Sequence, residues 1–126
     1  MSEKTYKLFA YGTLRRGFHN HGLLHGARFL GRGTTQEPMA MAVSFGIPFT
    51  AKDPSGVPLV GELYEVVEPQ MRPIHQMEVM AGYSATWHSV IVDGQTHRAV
   101  IYTVPLEMIH HSPRVDTCDY ADYRRS

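Results

Sequence analysis

The chain has 126 residues, 43% hydrophobic and 19% charged, the balance of one globular domain and too short for two ordinary ones. Twelve Lys and Arg offset twelve Asp and Glu, which removes the electrostatic motive for general nucleic-acid or anionic-membrane binding. The one cysteine, Cys118, excludes an intrachain disulfide and any multi-cysteine metal site. No apolar run approaches the roughly 20 residues that span a bilayer. Residues 1–5 lead into Tyr6-Lys7-Leu8-Phe9 without the apolar core of a signal peptide, so a soluble cytoplasmic domain is expected.

Eleven glycines and eight prolines divide the chain into short stretches rich in β-branched and aromatic residues, which predicts mostly strands. The first covers residues 6–11 and closes at Gly12. Residues 18–25 are a candidate helical turn, with Leu23 and Leu24 pointing inward. Residues 27–35 read as a strand interrupted at Gly31 and Gly33, where a bulge or close backbone approach is expected. Residues 39–44 and 47–51 form a candidate hairpin about Phe45-Gly46. Asp53-Pro54-Ser55-Gly56 is a turn, because Pro presets φ and Gly tolerates positive φ.

The clearest strand is 59–67, with Glu62, Tyr64 and Val66 on one face and Leu63 and Val67 on the other. Residues 69–80 make the better helix. Pro69 suits a first helical position, whereas Pro73 disfavours a helical Arg72, so the helix is expected to start near Pro73 or to kink there. Residues 86–92 and 98–104 flank Asp93-Gly94, a strong hairpin signal. After Pro105 apolar density falls, and the tail at 105–126 is expected to wrap the surface or fray. The whole chain, 1–126, reads as one domain with its core at about 6–104. Its class is α+β: a curved or barrel-like sheet with one or two short helices.

Three groups of residues could carry chemistry. Met71, Ile74 and Glu78 fall at i, i+3 and i+7, which places Glu78 within about 20° of Met71 around a continuous helix. A carboxyl on that apolar face is pushed above its ordinary pKa, as a general acid/base at neutral pH requires. The alternative is a Glu78 that swings out to water or caps a neighbouring backbone. The second group is Tyr11-Gly12-Thr13-Leu14-Arg15-Arg16-Gly17, following a buried strand. A glycine turn there leaves successive N–H groups free to hold a carboxylate or phosphate, although the spacing is not that of a phosphate P-loop. An ordinary connecting turn is the other reading, with Arg15 and Arg16 as solvated surface. The third group is the histidines, where His21 and His25 share i, i+4 spacing and His110-His111 sit together. With no His-Glu-x-x-His and no cysteine partner, no metal site is expected. Cys118 lacks the cationic setting of a catalytic thiol. Tyr64, Tyr83, Trp87 and Tyr102 are by default core or strand-pair residues.

The order of these segments resembles the gamma-glutamylcyclotransferase-like superfamily, closest to the gamma-glutamylamine cyclotransferases. The resemblance rests on Phe9-Ala10-Tyr11-Gly12-Thr13-Leu14-Arg15-Arg16-Gly17, His19-Asn20-His21 with Leu24, and Ala27-Arg28-Phe29-Leu30-Gly31. It continues through Val60-Gly61-Glu62-Leu63-Tyr64-Glu65-Val66, Ile74-His75-Gln76-Met77-Glu78 with Tyr83, and Ala99-Val100-Ile101-Tyr102. It implies a small mixed β-barrel with one or two short flanking helices. It also implies backbone donors at Tyr11, Gly12, Thr13 and Leu14 for a substrate carboxylate, Glu78 as the catalytic acid/base, and Tyr83 as a further substrate-binding residue. The expected activity is release of 5-oxoproline from a small γ-glutamyl compound, an acyltransferase- or lyase-type cyclisation without metal or cofactor. Two positions depart from the family pattern: Ile74-His75 stands where Leu-Asp is usual, and Ala85 stands two places after Tyr83 where Arg is favoured. Those departures support an alternative, a non-catalytic module of the same fold that senses a γ-glutamyl or amino-acid ligand. A third reading is a metal-dependent hydrolase using the histidines.

Overall fold

A computed structural model describes residues 4–125. Its strands are β1 (Thr5–Ala10), β2 (Arg28–Ser44), β3 (Ile47–Lys52), β4 (Val57–Val67), β5 (Ser84–Val92) and β6 (Gln95–Thr103). Its helices are α1 (Glu68–Met80), α2 (Leu106–Ile109) and α3 (Tyr120–Arg125), and a 3-10 turn, His21–Leu24, precedes β2. The sheet order is β3-β2-β4-β1-β6-β5, with β2 also paired to β5. That pairing closes five strands into a barrel and leaves β3 as an extra strand on β2. β1 runs antiparallel to β4 and parallel to β6, so the barrel is mixed.

Closure depends on β2. Its 17 residues pair with β4, then with β5 at 33–35 and with β3 at 39–44. The register against β4 shifts between Phe29 and Gly31 and again between Thr34 and Pro38; such shifts bend a strand and sharpen its twist. A Cβ at Gly33 would run into the Ile91 carbonyl, so only glycine lets β5 come this close. The interruptions expected at Gly31 and Gly33 are therefore corners within one long strand.

Both hairpins form as their turn residues require. Phe45 and Gly46 have φ of 53° and 76°, and Asp93 and Gly94 have 51° and 76°, the two positive values of a type I′ turn. β1, β4 and β6 are buried on both faces. Phe9, Leu63 and Ile101 join Met39, Met41 and Val90 in the barrel interior. Leu8, Tyr64, Val66, Val100 and Tyr102 face outward into a second cluster with Met71 and Ile74 of α1. Ile74 is fully buried, which stabilises the docked helix by on the order of 2 kcal/mol.

Several expectations need correction. α1 starts at Glu68 and contains Pro73. One backbone hydrogen bond is lost there, and the burial of Met71 and Ile74 on either side of the proline holds the helix together. Leu24 points inward but Leu23 is exposed; Trp87 is half exposed and so not core, and the other expected role holds, since it pairs with Val100 across β5 and β6. Residues 105–123 neither fray nor only wrap the surface. Ile109, Val115, Cys118 and Tyr120 are buried, Val115 N donates to Met41 O at 2.9 Å, and Val60 N donates to Cys118 O at 2.9 Å. No helix among the described residues is long and apolar enough to cross a membrane.

Candidate active site

β1 carries the chain out of the barrel wall and into a tight turn. Arg15 N donates to Gly12 O at 3.0 Å, Phe18 N to Arg15 O at 3.1 Å and Asn20 N to Thr13 O at 2.9 Å. Asn20 Nδ2 also donates to Thr13 Oγ1 at 2.9 Å, and a ring nitrogen of His21 lies 2.9 Å from Leu14 O. The carbonyls of the turn are thus engaged, whereas the N–H groups of Gly12, Thr13 and Leu14 meet no acceptor among the described residues. Unpaired successive N–H groups form a concavity suited to an anion. Gly12 is required by crowding: a Cβ there would lie 2.6 Å from Pro48 Cγ.

The turn forms one wall of a cleft of about 160 Å³. Tyr11, Gly12, Thr13 and Leu14 line it together with Glu78 and Tyr83, so the residues singled out in the sequence converge on one space. Glu78 sits two helical turns beyond Met71, on the stripe that faces the barrel. Burial alone pushes its carboxyl up from 4.5 to about 7, with no cation opposing the shift. Such a carboxyl can take and return a proton near neutral pH.

The phenols around it are held in place and stay neutral. Tyr11 Oη donates to Tyr102 O at 2.7 Å, and Tyr83 Oη donates to Pro48 O at 2.8 Å. Burial, and secondarily the neighbouring Glu78, pushes Tyr83 and Tyr102 up to about 12. Burial, with Tyr83 and Glu78 nearby, also raises Tyr11 well above its ordinary value. Glu78 is therefore the carboxyl of the cleft poised to exchange a proton near neutrality.

Of the other candidates, His19 enters the cleft and the rest lie elsewhere or are engaged. His21 is committed to Leu14 O, and His110 lies beside Arg114 at 3.1 Å. Among the described residues no three His, Cys, Asp or Glu side chains converge as metal ligands. Burial pushes the Cys118 thiol up to about 11, and Sγ lies 3.3 Å from Met39 O, which disfavours a thiolate. His75 and Ala85, the two departures from the family pattern, line a separate groove of about 690 Å³ across α1. Arg15 is buried against Asp119, contrary to its reading as solvated surface, and the Arg16 guanidinium lies 3.8 Å from the Phe29 ring centre.

Sequence reasoning missed Tyr102 and Pro48 as parts of the cleft. Tyr102 had one legible sign, its place one residue beyond Ile101 on a strand whose alternate positions face outward. Pro48 had none, because its approach to Gly12 depends on where β3 crosses the end of β1.

The chain is similar to known proteins along nearly its whole length. The family model for gamma-glutamyl cyclotransferase, AIG2-like proteins matches residues 8–124. A protein of Methanocaldococcus jannaschii, provisionally named a gamma-glutamylcyclotransferase, is 36% identical over 120 residues, covering 93% of this chain and 97% of that protein. The gamma-glutamylaminecyclotransferase of Rattus norvegicus is 40% identical over 79 residues, covering 56% of this chain and 53% of the relative. Among solved structures, an AIG2-like protein of Mus musculus superposes with a TM-score of 0.78 at 28% identity, covering 89% of this chain and 86% of the other. The match runs from β1 into α3 and contains both the glycine turn and the helix glutamate, and the chain belongs to the gamma-glutamyl cyclotransferase, AIG2-like family.

Proposed function

We propose that this protein cyclises a γ-glutamyl compound, releasing 5-oxoproline and a free amine or amino acid, with Glu78 as the single acid and base. The supporting observation is the pairing of a carboxyl raised to about 7 by burial with unpartnered N–H groups of the Gly12–Leu14 turn in one cleft. The turn receives the α-carboxylate of the substrate and so fixes the α-amine beside it. Tyr83, tied to Pro48 O, lines the same cleft and contacts the bound substrate.

The α-amine is the nucleophile and the γ-carbonyl carbon its target, so the reaction is intramolecular. Holding the chain folded replaces an encounter between separate molecules, a term worth up to about 7–11 kcal/mol. Glu78 as carboxylate takes a proton from the α-ammonium. The freed amine adds to the γ-carbon and forms the new C–N bond, giving a tetrahedral oxyanion. The oxyanion collapses, the original C–N bond breaks, and Glu78 returns the proton to the departing nitrogen, which would otherwise leave as a poor anion. The ring nitrogen, which still carries two hydrogens after the attack, gives its second proton to the Glu78 carboxylate, which passes it to the released amine. The lactam is then neutral, the amine leaves as an ammonium ion and Glu78 is again a carboxylate, so substrate and Glu78 account for every proton and electron pair.

A panel of γ-glutamyl amines, γ-glutamyl amino acids and glutathione, incubated with purified protein and assayed for 5-oxoproline, tests the reading. Release from at least one member is expected. Saturable binding of these compounds with no product after long incubation would instead establish the sensing module.

A further inference from the structure

The segment after β6 has no part in the reaction as drawn, yet it buries Cys118, Asp119 and Tyr120. Its contacts lead to the turn that lines the cleft. Asp119 Oδ1 accepts from Arg15 Nη1 at 2.7 Å and from Ala121 N at 3.0 Å, and Oδ2 accepts from Arg32 Nη2 at 3.2 Å. The Arg15 and Asp119 side chains are only 5% and 9% exposed. Beside them Tyr120 packs on Phe18 with ring centroids 5.1 Å apart, and its hydroxyl donates to Gly46 O at 2.6 Å. Arg15 also belongs to the turn itself, since its N–H closes on Gly12 O and its carbonyl accepts from Phe18 N.

One residue therefore joins two systems: its backbone closes the cradle and its guanidinium is buried under it. Asp119 is the acceptor that meets this guanidinium among the described residues, and Arg15 Nε is already buried without a partner. A buried cation that loses its counter-charge is strongly unfavourable. Its relief is to swing Arg15 into water, which opens the turn that Arg15 closes.

We propose that Asp119 is a positioning residue for the cleft. Through Arg15 it fixes the turn from Gly12 to Arg15, so that the N–H groups of Gly12, Thr13 and Leu14 are held for the substrate carboxylate. The identity of that ligand rests on the γ-glutamyl reading; the linkage from Asp119 to the turn does not.

The test is a set of variants read in two ways. Asp119→Asn is expected to raise KM for an accepted γ-glutamyl substrate about tenfold while kcat changes less than about threefold, because Glu78 is untouched. Asp119→Glu, which keeps the charge, is expected to recover most of that loss. Independently of any turnover, Asp119→Asn should lose amide hydrogen-exchange protection at Arg15 and Asn20 and keep it at Leu63 and Ile101. Lost protection in a protein that releases no 5-oxoproline upholds the linkage and refutes the reaction. Unchanged KM and unchanged protection at Arg15 and Asn20, with only a lower melting temperature, overturn the proposal. Where Asp119→Asn does not fold, Arg15→Met combined with Asp119→Asn removes both charges at once. Wild-type KM and wild-type protection at Asn20 in that folded double variant overturn it equally.

Discussion

Glu78 and Asp119 are both acidic side chains withdrawn from water, Asp119 almost wholly and Glu78 in part; Asp119 meets Arg15 of the turn, and Glu78 lines the cleft that the turn walls. Asp119 lies between the guanidinium groups of Arg15 and Arg32 and also accepts a backbone N–H. Glu78 has burial and neutral phenols around it, and its carboxyl rises to about 7. The difference shows how one functional group serves two purposes. A buried carboxylate placed between cations fastens structure; one without them, as at Glu78, is pushed up by burial and can exchange a proton near neutral pH. Burial alone does not mark a catalytic acid. The absence of a counter-charge, together with an open cleft, is what supports that role for Glu78 over Asp119.

Substituting Glu78 challenges that contrast most severely. Glu78→Gln preserves size and removes the exchangeable proton, so 5-oxoproline release is expected to fall by about 10²–10⁴-fold with the far-UV circular dichroism unchanged. Turnover within a few-fold of wild type would remove Glu78 from the reaction and leave it as a misplaced surface residue.

The same substitution has a pH signature in stability. The folded carboxyl titrates at about 7 and the ordinary value is 4.5, so the folded state binds the extra proton between those values. Stability from this group is present in full below pH 4.5, declines as pH rises, and is lost above about 7. Glu78→Gln should therefore melt higher than wild type at pH 8 and alongside it at pH 4. In the active protein, kcat/KM should rise with pH through an acidic limb near 7. A limb absent from that range, or a melting difference independent of pH, would place the carboxyl in water.

Gly12→Ala probes the cradle without touching either carboxyl. The added Cβ would lie 2.6 Å from Pro48 Cγ, on a ring that cannot swing away, so turn or strand must shift. A displacement near 1 Å at a binding group can cost up to about 100-fold; here KM is expected to rise about tenfold with kcat nearly constant. Steady-state kinetics check this, and Pro48→Ala in the same chain should recover part of the loss by vacating the space. An unaltered KM would show that the turn does not hold the substrate.

These features were unequally legible in the sequence. The hairpins at Phe45-Gly46 and Asp93-Gly94 could be read because turn chemistry is local. The stripe Met71, Ile74 and Glu78 could be read because helical spacing is regular, and it placed the carboxyl on the right face. Pro73 misled because a local preference was weighed without the burial of Met71 and Ile74 that overrides it. Closure of β2 on β5 was hidden, since the need for glycine at 33 arises from a carbonyl at Ile91 far along the chain. The role of residues 105–123 was hidden for the same reason. Asp119 meets Arg15 across 104 positions, and low apolar density gives no sign that Cys118 and Tyr120 enter the barrel core. The paired arginines looked alike, although one is buried against Asp119 and the other lies over the Phe29 ring.

The smallest expected effect separates the two cations of Asp119. The Arg32 side chain is 63% exposed and its contact is 3.2 Å, against 5% and 2.7 Å for Arg15. A pair with one partner in solvent contributes about 0–1 kcal/mol, because water screens the charge and the side chain loses freedom in forming it. Arg32→Ala should thus lower the melting temperature by no more than about 4 °C and leave KM unchanged, as calorimetry and steady-state kinetics on the same preparation would show. Arg32 belongs to β2 and closes no part of the turn, so losing it leaves Arg15 paired and the cradle set. If Arg32→Ala raised KM as far as Asp119→Asn, the carboxylate would be acting through the outer strand of the barrel, and the distinction between anchoring and surface pairing at this site would fail.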